Sequence, residues 1–394
     1  MSNSQSISRV TPNTPVVVAV ARTPFATRGG QLATVGAEQL AGLAIAEVAK
    51  RAKQVLGADA QVDGVYLGNC MGPGGNLARV STLAASLAIE TPAMTIDTQC
   101  ASSLSAIIVA GQAITSGQAS FQIAGGSESA STAPVRSVDG VPYARAPFAP
   151  EGFDDPDMGP AAQALAIKNR ITRAEQDGYA VRSHELALAA ISEGKIRAEL
   201  VAVGDIDSDN SPNAKIAGLV SRMTPLYVDG AESDFAVTGA NSSRNSDGAV
   251  VVVLCSESNR NDAAGLALID SITLGKSTDL PGIGPIGAVQ KLLDRNDLTM
   301  DDIAAFEIVE AFGAQTLSVL KALGLANEQQ IDSRVCAQGG SLAFGHPWGA
   351  SGAFVVTRLF SRLIDGGAPA RTLGLATVAV GGGMGVAALF EVVR

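Results

Sequence analysis

Two stretches of the chain, far apart in number, run in the same order: an apolar strand, a helix of small apolar residues with no polar face, a second strand and a run of glycines. In the first, Met94-Thr95-Ile96 leads to residues 101–114, then 121–124 and Gly125-Gly126. In the second, residues 303–309 precede 349–363, then 373–380 and Gly381-Gly382-Gly383. A helix that is apolar all round must be buried all round, and strands with continuous apolar runs are covered on both faces. The repeat therefore predicts an α/β chain made of two βαβ-rich halves related by internal duplication.

The rest of the chain fits that frame. Residues 15–20 (PVVVAV) read as a strand buried on both faces, and Leu40, Leu43, Ala44 and Val48 give residues 37–53 helical spacing ahead of a short strand at 64–68. From Ser127 to Arg244 the character changes. Pro147, Pro150, Gly152, Asp154, Asp155, Pro156 and Asp157 cluster before a charged helix at 173–193, which reads as an insertion between strands, the kind of segment that serves binding.

Composition removes several function classes. The 394 residues carry 28 Lys+Arg against 38 Asp+Glu, a net charge of −10, which excludes a nonspecific nucleic-acid binder. Met1 to Thr14 lack the basic-then-apolar order of a signal peptide, and no apolar run nears the roughly 20 residues that span a bilayer. Four scattered cysteines, Cys70, Cys100, Cys255 and Cys336, form neither a disulfide framework nor a metal-binding spacing. The expectation is a cytoplasmic protein with no metal and no membrane partner. Glycine, 43 of 394 against a usual share of about 7%, points to many close backbone approaches.

Chemistry concentrates at the two helix entries. Cys100 lies where a strand meets a buried helix, where the positive helix end and free N–H groups favour thiolate and can bind an oxyanion. A Cys there is either a structural residue or a nucleophile. Of the 2 histidines, His184 sits inside the charged helix and reads as a surface residue. His346, in Gly345-His346-Pro347-Trp348-Gly349, opens the second apolar helix at the place Cys100 holds in the first. A duplicated fold would bring thiol and imidazole to one central site, the arrangement of nucleophilic acyl transfer.

These residues resemble those of a known family. Arg22-Thr23-Pro24-Phe25, the Cys100 loop, Gly125-Gly126-Ser127-Glu128-Ser129, Met158-Gly159, Ala240-Asn241-Ser242-Ser243, Asp247-Gly248-Ala249, Gly284-Pro285, Glu310-Ala311-Phe312, the segment from Gly345 to Gly352 and Gly381-Gly382-Gly383-Met384-Gly385 occur in the order of the thiolases. The resemblance implies a duplicated fold of five layers, αβαβα, with an inserted loop domain that receives coenzyme A. It divides the chain into an N-terminal half of residues 1–126 and 245–271, a loop domain of 127–244 and a C-terminal half of 272–394. It also implies a homodimer or homotetramer, and no permanently bound cofactor beyond the coenzyme A thioester substrate.

By the same resemblance Cys100 carries the acyl group, His346 is the acid/base, and the backbone N–H groups of Cys100 and Gly381 form an oxyanion hole. Met158, Arg222, Ser243 and Phe312 would contact the acyl-CoA. Two positions depart from the family. Ala379 stands where a second Cys removes the α-proton, and Val309 where an Asn holds an oxyanion-binding water. A methyl group carries no proton and an isopropyl group orders no water. An acid/base group is worth about two to four powers of ten, and an oxyanion donor about two to three.

The loop domain also departs. The family's His-Met-Gly triplet reads Asp157-Met158-Gly159, and the segment near the nucleotide end reads Met223-Thr224-Pro225-Leu226-Tyr227 after Arg222. Residues 97–104 are similar to the nucleophile loop of ketosynthases, and Val309-Glu310-Ala311-Phe312-Gly313 to their Val-Glu-Ala-His-Gly, with Phe312 in place of the His. Three functions follow: an acyltransferase with non-standard condensation chemistry, a decarboxylative ketosynthase-like enzyme using acyl-CoA or an acyl carrier protein, or a catalytically weak subunit supporting a second thiolase-like chain.

Overall fold

The computed structural model describes residues 9–57 and 60–394. The first eight residues of the polar leader lie outside them. The first half runs β1 (Pro15–Arg22), β2 (Ala26–Thr27), α1 (Ala37–Leu56), β3 (Gly64–Gly68), α2 (Leu77–Ala84), β4 (Ala93–Ile96), α3 (Ser102–Thr115) and β5 (Phe121–Ser129). The chain then leaves the sheet for a hairpin, β6 (Arg136–Val138) and β7 (Val141–Tyr143), and two helices, α4 (Met158–Lys168) and α5 (Arg173–Ser192). It returns with β8 (Ser246–Ser256) and β9 (Gly265–Gly275). The second half holds α6 (Gly284–Arg295), β10 (Ile303–Ile308), α7 (Gly313–Ala322), α8 (Ser341–Phe344), α9 (Trp348–Phe360), β11 (Leu373–Val380) and β12 (Met384–Val393).

The duplication is visible in the pairing. β3 and β5 are parallel, as are β10 and β11, while β5–β8 and β11–β12 are antiparallel. The strand order β10-β11-β12-β9-β1-β8-β5-β3-β4 therefore reads as two matching halves, joined where β1 meets β9 at Val16↔Ala267 and Val17↔Leu266. That seam makes one ten-stranded sheet of the two halves.

Side-chain alternation along β8 shows how five layers are filled. Val250, Val252 and Leu254 join the central cluster around α3 and α9, while Val251, Val253 and Cys255 face α1. In the second half Val378 and Val380 turn inward and Leu373 and Leu375 turn to α6 and α7. The order is thus α1 and α2, strands, α3 and α9, strands, α6 and α7, the five layers that the resemblance implies. Leu43 alone of the α1 residues singled out by spacing points outward, at 40% exposure.

Two expectations are corrected. The first-half strand runs through Gly125-Gly126 to Ser129 instead of turning there. A Cβ on Gly126 would stand 2.1 Å from the carbonyl of Gly349, so that glycine serves close approach, not a turn. His184 is buried, its Nδ1 accepting the N–H of Asn213 at 3.1 Å, because α5 is covered by α7 and α8 and reached by the chain at Asn213. Among the described residues no helix is long and apolar enough to cross a membrane.

A buried charge network ties the excursion to both halves. Arg22 of β1 donates to Glu199 at 2.8 Å and, through both terminal nitrogens, to Asp209 at 2.8 and 2.7 Å. Glu199 also accepts from Arg358 of α9 and from Ser361. Removing one member leaves uncompensated buried charge. Glu199→Ala should therefore lower stability by about 3–5 kcal/mol, measured by urea titration of the full chain; a loss below 1 kcal/mol would show that water reaches the two arginines.

Candidate active site

The nucleophile candidate sits on a strained turn. Between β4 and α3, Gln99 takes φ +51°, a left-handed conformation that costs a non-glycine residue on the order of 1–3 kcal/mol. Side chains hold it there. Asp97 Oδ1 accepts the Gln99 N–H at 2.8 Å, and Ser102 Oγ accepts the Thr98 N–H at 3.0 Å while donating to the Gln99 carbonyl at 2.5 Å. The turn delivers Cys100 ahead of the first turn of α3, half-buried, whereas Cys70, Cys255 and Cys336 are buried.

His346 reaches the same region from the other half. Its N–H donates to the Arg244 carbonyl at 2.8 Å, and its Nδ1 lies 2.7 Å from Ser351 Oγ one turn into α9. When Nδ1–H donates to that hydroxyl, Nε2 presents a free lone pair; in the other tautomer it presents a proton. The imidazole is buried, and burial pushes its pKa down to about 4, so it is neutral at neutral pH.

Helices α3 and α9 meet almost backbone to backbone. A Cβ on Gly352 would lie 2.6 Å from the Leu104 nitrogen, and the Ala353 N–H donates to Ser103 Oγ at 2.8 Å. β11 packs on the Gln99–Ala101 turn. The turns that carry Cys100 and His346 therefore enter two helices that cross near their N-terminal ends, with β11, the strand that holds Ala379 and leads to Gly381, packed on the Cys100 turn. Val309 is buried in the central cluster around these helices, its side chain wholly apolar.

The acyl-CoA candidates divide. Ser243 N–H and Oγ both donate to the Ala311 carbonyl at 2.9 Å, and Phe312 pairs with Ser242 while packing against the α4 residues Ala162 and Ala166. Met158 starts that helix and is half-buried. Arg222 stands exposed on the turn Val220–Arg222, on the excursion. The first two are thus tied to the Glu310 loop, Met158 lies at the start of the helix that Phe312 packs on, and Arg222 stands on a separate turn of the excursion.

Two acids that the motifs contain, but to which sequence reading assigns no role, organise the site. Glu128 is fully buried and accepts Asn69 Nδ2 at 2.8 Å, the N–H groups of Cys70, Met71 and Gly349 at 3.1, 3.1 and 3.2 Å, and the Cys70 thiol at 3.2 Å. Glu310 accepts Tyr179 Oη at 2.8 Å, Ser183 Oγ at 2.7 Å and the Leu342 N–H at 3.2 Å. Burial pushes both carboxyl groups up. Their one sequence signal is an acid inside an otherwise apolar strand end. Among the described residues no group of three or more His, Cys, Asp or Glu could hold a metal.

The helix start does not by itself make Cys100 a thiolate. Burial pushes its thiol up to about 12; its own backbone N–H opposes this, and the charges of Glu128 and Asp97 add to it. The expectation that the helix terminus favours thiolate is corrected by those two acids and by desolvation.

The sequence matches the model of the thiolase N-terminal domain over residues 15–258 and that of the C-terminal domain over 265–392. It is 38% identical over 385 residues to YhfS of Bacillus subtilis, provisionally named an acetyl-CoA C-acetyltransferase, covering 96% of this chain and 99% of that one. VraB of Staphylococcus aureus (strain COL), named likewise, is 37% identical over 395 residues, covering 96% and 99%. Among solved structures, the Bacillus anthracis acetyl-CoA acetyltransferase superposes with a TM-score of 0.85 at 31% identity, over 98% of this chain and 100% of that one. The Acat5 thiolase from Ascaris suum, solved with coenzyme A, gives 0.84 at 29%, over 96% and 99%.

The thiol's pKa has a direct readout. Thiolate fraction falls tenfold for each pH unit below the pKa, so carbamoylmethylation of Cys100 should keep rising about tenfold per unit from pH 7 to 10, with no plateau near the usual value of about 8.5. Peptide mass spectrometry after timed iodoacetamide exposure follows it; a plateau below pH 9 would mean an activated resting thiolate.

Proposed function

The chain belongs to the thiolase family, and on that premise we propose that it takes an acyl group from an acyl-CoA thioester onto Cys100 and passes it on in a reaction other than the standard Claisen condensation. An acyltransferase acting on coenzyme A thioesters agrees with the names of its relatives. The observation that carries the reading is the convergence of the Cys100 turn and His346 at the α3–α9 crossing, with apolar side chains at 309 and 379.

The mechanism follows from the two resting states. A thiol near 12 beside an imidazole near 4 cannot stand as a thiolate–imidazolium pair. Proton transfer to His346 Nε2 must therefore accompany attack of Cys100 Sγ on the thioester carbonyl, as general base catalysis. The carbonyl oxygen takes up charge between the N–H groups of Cys100 and Gly381; the first N–H groups of a helix have no intrahelical acceptor to lose. His346 then gives its proton to the departing coenzyme A sulfur. Ser351 steadies the ring throughout.

Carbanion formation is where this chain differs. With Ala379 no thiol accepts an α-proton, which favours a second substrate whose carbanion arises by loss of carbon dioxide from a malonyl thioester, or an acceptor that needs no carbanion. Ser243, Phe312, Met158 and Arg222 are proposed to line the path of the coenzyme A thioester, within the 127–244 excursion and at its junction with α7. A cleft of about 910 Å³ lined by Arg173, Arg182, Val220, Ser221 and Phe235 adjoins Arg222 in the chain and supports a nucleotide site there. Edge strand β4, with Met94 and neighbouring Val80, Leu83 and Ile89 46–70% exposed, supports pairing with a second copy.

Incubation with a panel of acyl-CoA and malonyl-CoA thioesters should add one acyl group, at Cys100, by intact mass, and His346→Ala should slow it by about two powers of ten. Labelling at another cysteine, or none from any thioester or carrier-bound donor, sinks the assignment. Ala379→Cys should then raise acetoacetyl-CoA thiolysis, and Ala379→Cys with Val309→Asn should raise it further, since an oxyanion donor is worth about 3 kcal/mol. A doubly substituted chain that acylates yet shows no thiolysis counts against these two positions as the reason for altered chemistry.

A further inference from the structure

The 145–157 segment of the excursion folds back onto the turn between β11 and β12. Phe148 lies flat against it: a Cβ built on Gly381 would stand 2.8 Å from Phe148 Cε2, 3.0 Å from Cδ2 and 3.1 Å from Cζ. On Gly382, at φ +86°, a Cβ would meet the Phe148 carbonyl at 2.9 Å. Only glycine allows the ring to rest on this backbone.

The ring does not rest there by apolar contact alone. Arg145 stacks its guanidinium 4.4 Å from the ring centroid. Its nitrogens reach both carboxylate oxygens of Asp155 at 3.1 Å, the Asp155 carbonyl at 2.7 Å and Asp157 Oδ1 at 2.6 Å. The same Asp155 carboxylate accepts the Phe148 N–H at 3.3 Å. One arginine and two aspartates thus fix backbone and ring together, and Asp157 directly precedes Met158 at the start of α4. Such a clamp offsets the rotamer freedom an aromatic side chain loses when it is held on a loop.

We propose that Phe148 is the specificity-determining residue of the acyl site, admitting short acyl groups and excluding long ones, and that Arg145, Asp155 and Asp157 are its positioning residues. The inference rests on the reading in which the Gly381 N–H receives the thioester oxygen. A carbonyl oxygen bonded to that N–H puts its carbon within about 4 Å of the glycine, and the ring occupies the space against the same residue. A methyl or propyl group can lie along the ring face; a longer chain has to displace it, which the Arg145 clamp resists.

The test compares acetyl-CoA with octanoyl-CoA on the full chain. By intact mass, acylation of the unmodified protein should favour acetyl-CoA in kcat/KM by about a hundredfold or more, the scale at which a shaped apolar pocket discriminates. Phe148→Ala should shrink that preference at least about tenfold, Phe148→Leu by less, and Arg145→Gln should shrink it partway with Arg145→Lys restoring some of it. A chain-length ratio unchanged in Phe148→Ala and Phe148→Leu, with Cys100 still acylated, overturns the proposal. If the unmodified chain forms no acyl-enzyme, the acyl-transfer reading fails separately. Calorimetric binding of octanoyl-CoA to Cys100→Ala, with and without Phe148→Ala, then still decides the role of Phe148: tighter binding without the ring supports it, equal binding refutes it.

Discussion

Helices α3 and α9 are largely apolar and cross so closely that a Cβ on Gly352 would meet the Leu104 backbone nitrogen. Nine of the fourteen residues of α3 are buried, and Leu104, Ile107 and Ile114 each gain about 1.5–3 kcal/mol from leaving water. Gly352 and the Ser103 hydroxyl set the spacing of the crossing. Because packed interiors deform little, the turns that enter the two helices are fixed relative to each other to within the tolerance of that contact. Everything proposed for the site, from the Cys100 turn to the His346 ring, inherits its position from this pair.

Such a core leaves few places for charge, and those it has act as rivets. Glu128 holds the loop after β3 to the start of α9; Glu310 holds α5 to the turn before His346; Glu199 holds β1, the excursion and α9. Each carboxylate accepts several donors, so its desolvation is offset by bonds that would otherwise end on water. The arrangement also has a chemical effect. A negative group near a half-buried thiol disfavours thiolate, so the rivet that orders the Cys100 surroundings adds to the burial that keeps the thiol protonated. Order and quiescence come from the same atoms.

What the sequence reveals of this follows from range. The strands around 15–20 and 373–380 and the two buried helices announce themselves because burial on all sides leaves a local apolar pattern. Gly125 and Gly126 mislead because glycine marks both turns and close approach, and only the partner backbone decides between them. His184 misleads because α5 is rich in polar residues whose partners lie on other elements: Tyr179 and Ser183 bond Glu310, and Asp177 accepts from Asn241. The neutral state of Cys100 comes first from burial and then from the charges of Glu128, 28 positions along the chain on β5, and Asp97, and no local pattern carries the burial. Phe148 is likewise silent in sequence, since its significance is the glycine it covers.

The apolar residues at 309 and 379 gain meaning from the same packing. Val309 is buried in the central layer around α3 and α9, and Ala379, also buried, opposes Gly385 in the β11–β12 ladder. An Asn at 309 would need partners for its amide in that layer, and a Cys at 379 would be a further thiol whose ionised form burial disfavours. Valine and alanine make neither demand. On the proposed reading, the chemistry at the crossing is that of one thiol, one imidazole and backbone N–H groups, enough to load an acyl group, with the carbon nucleophile generated on the second substrate.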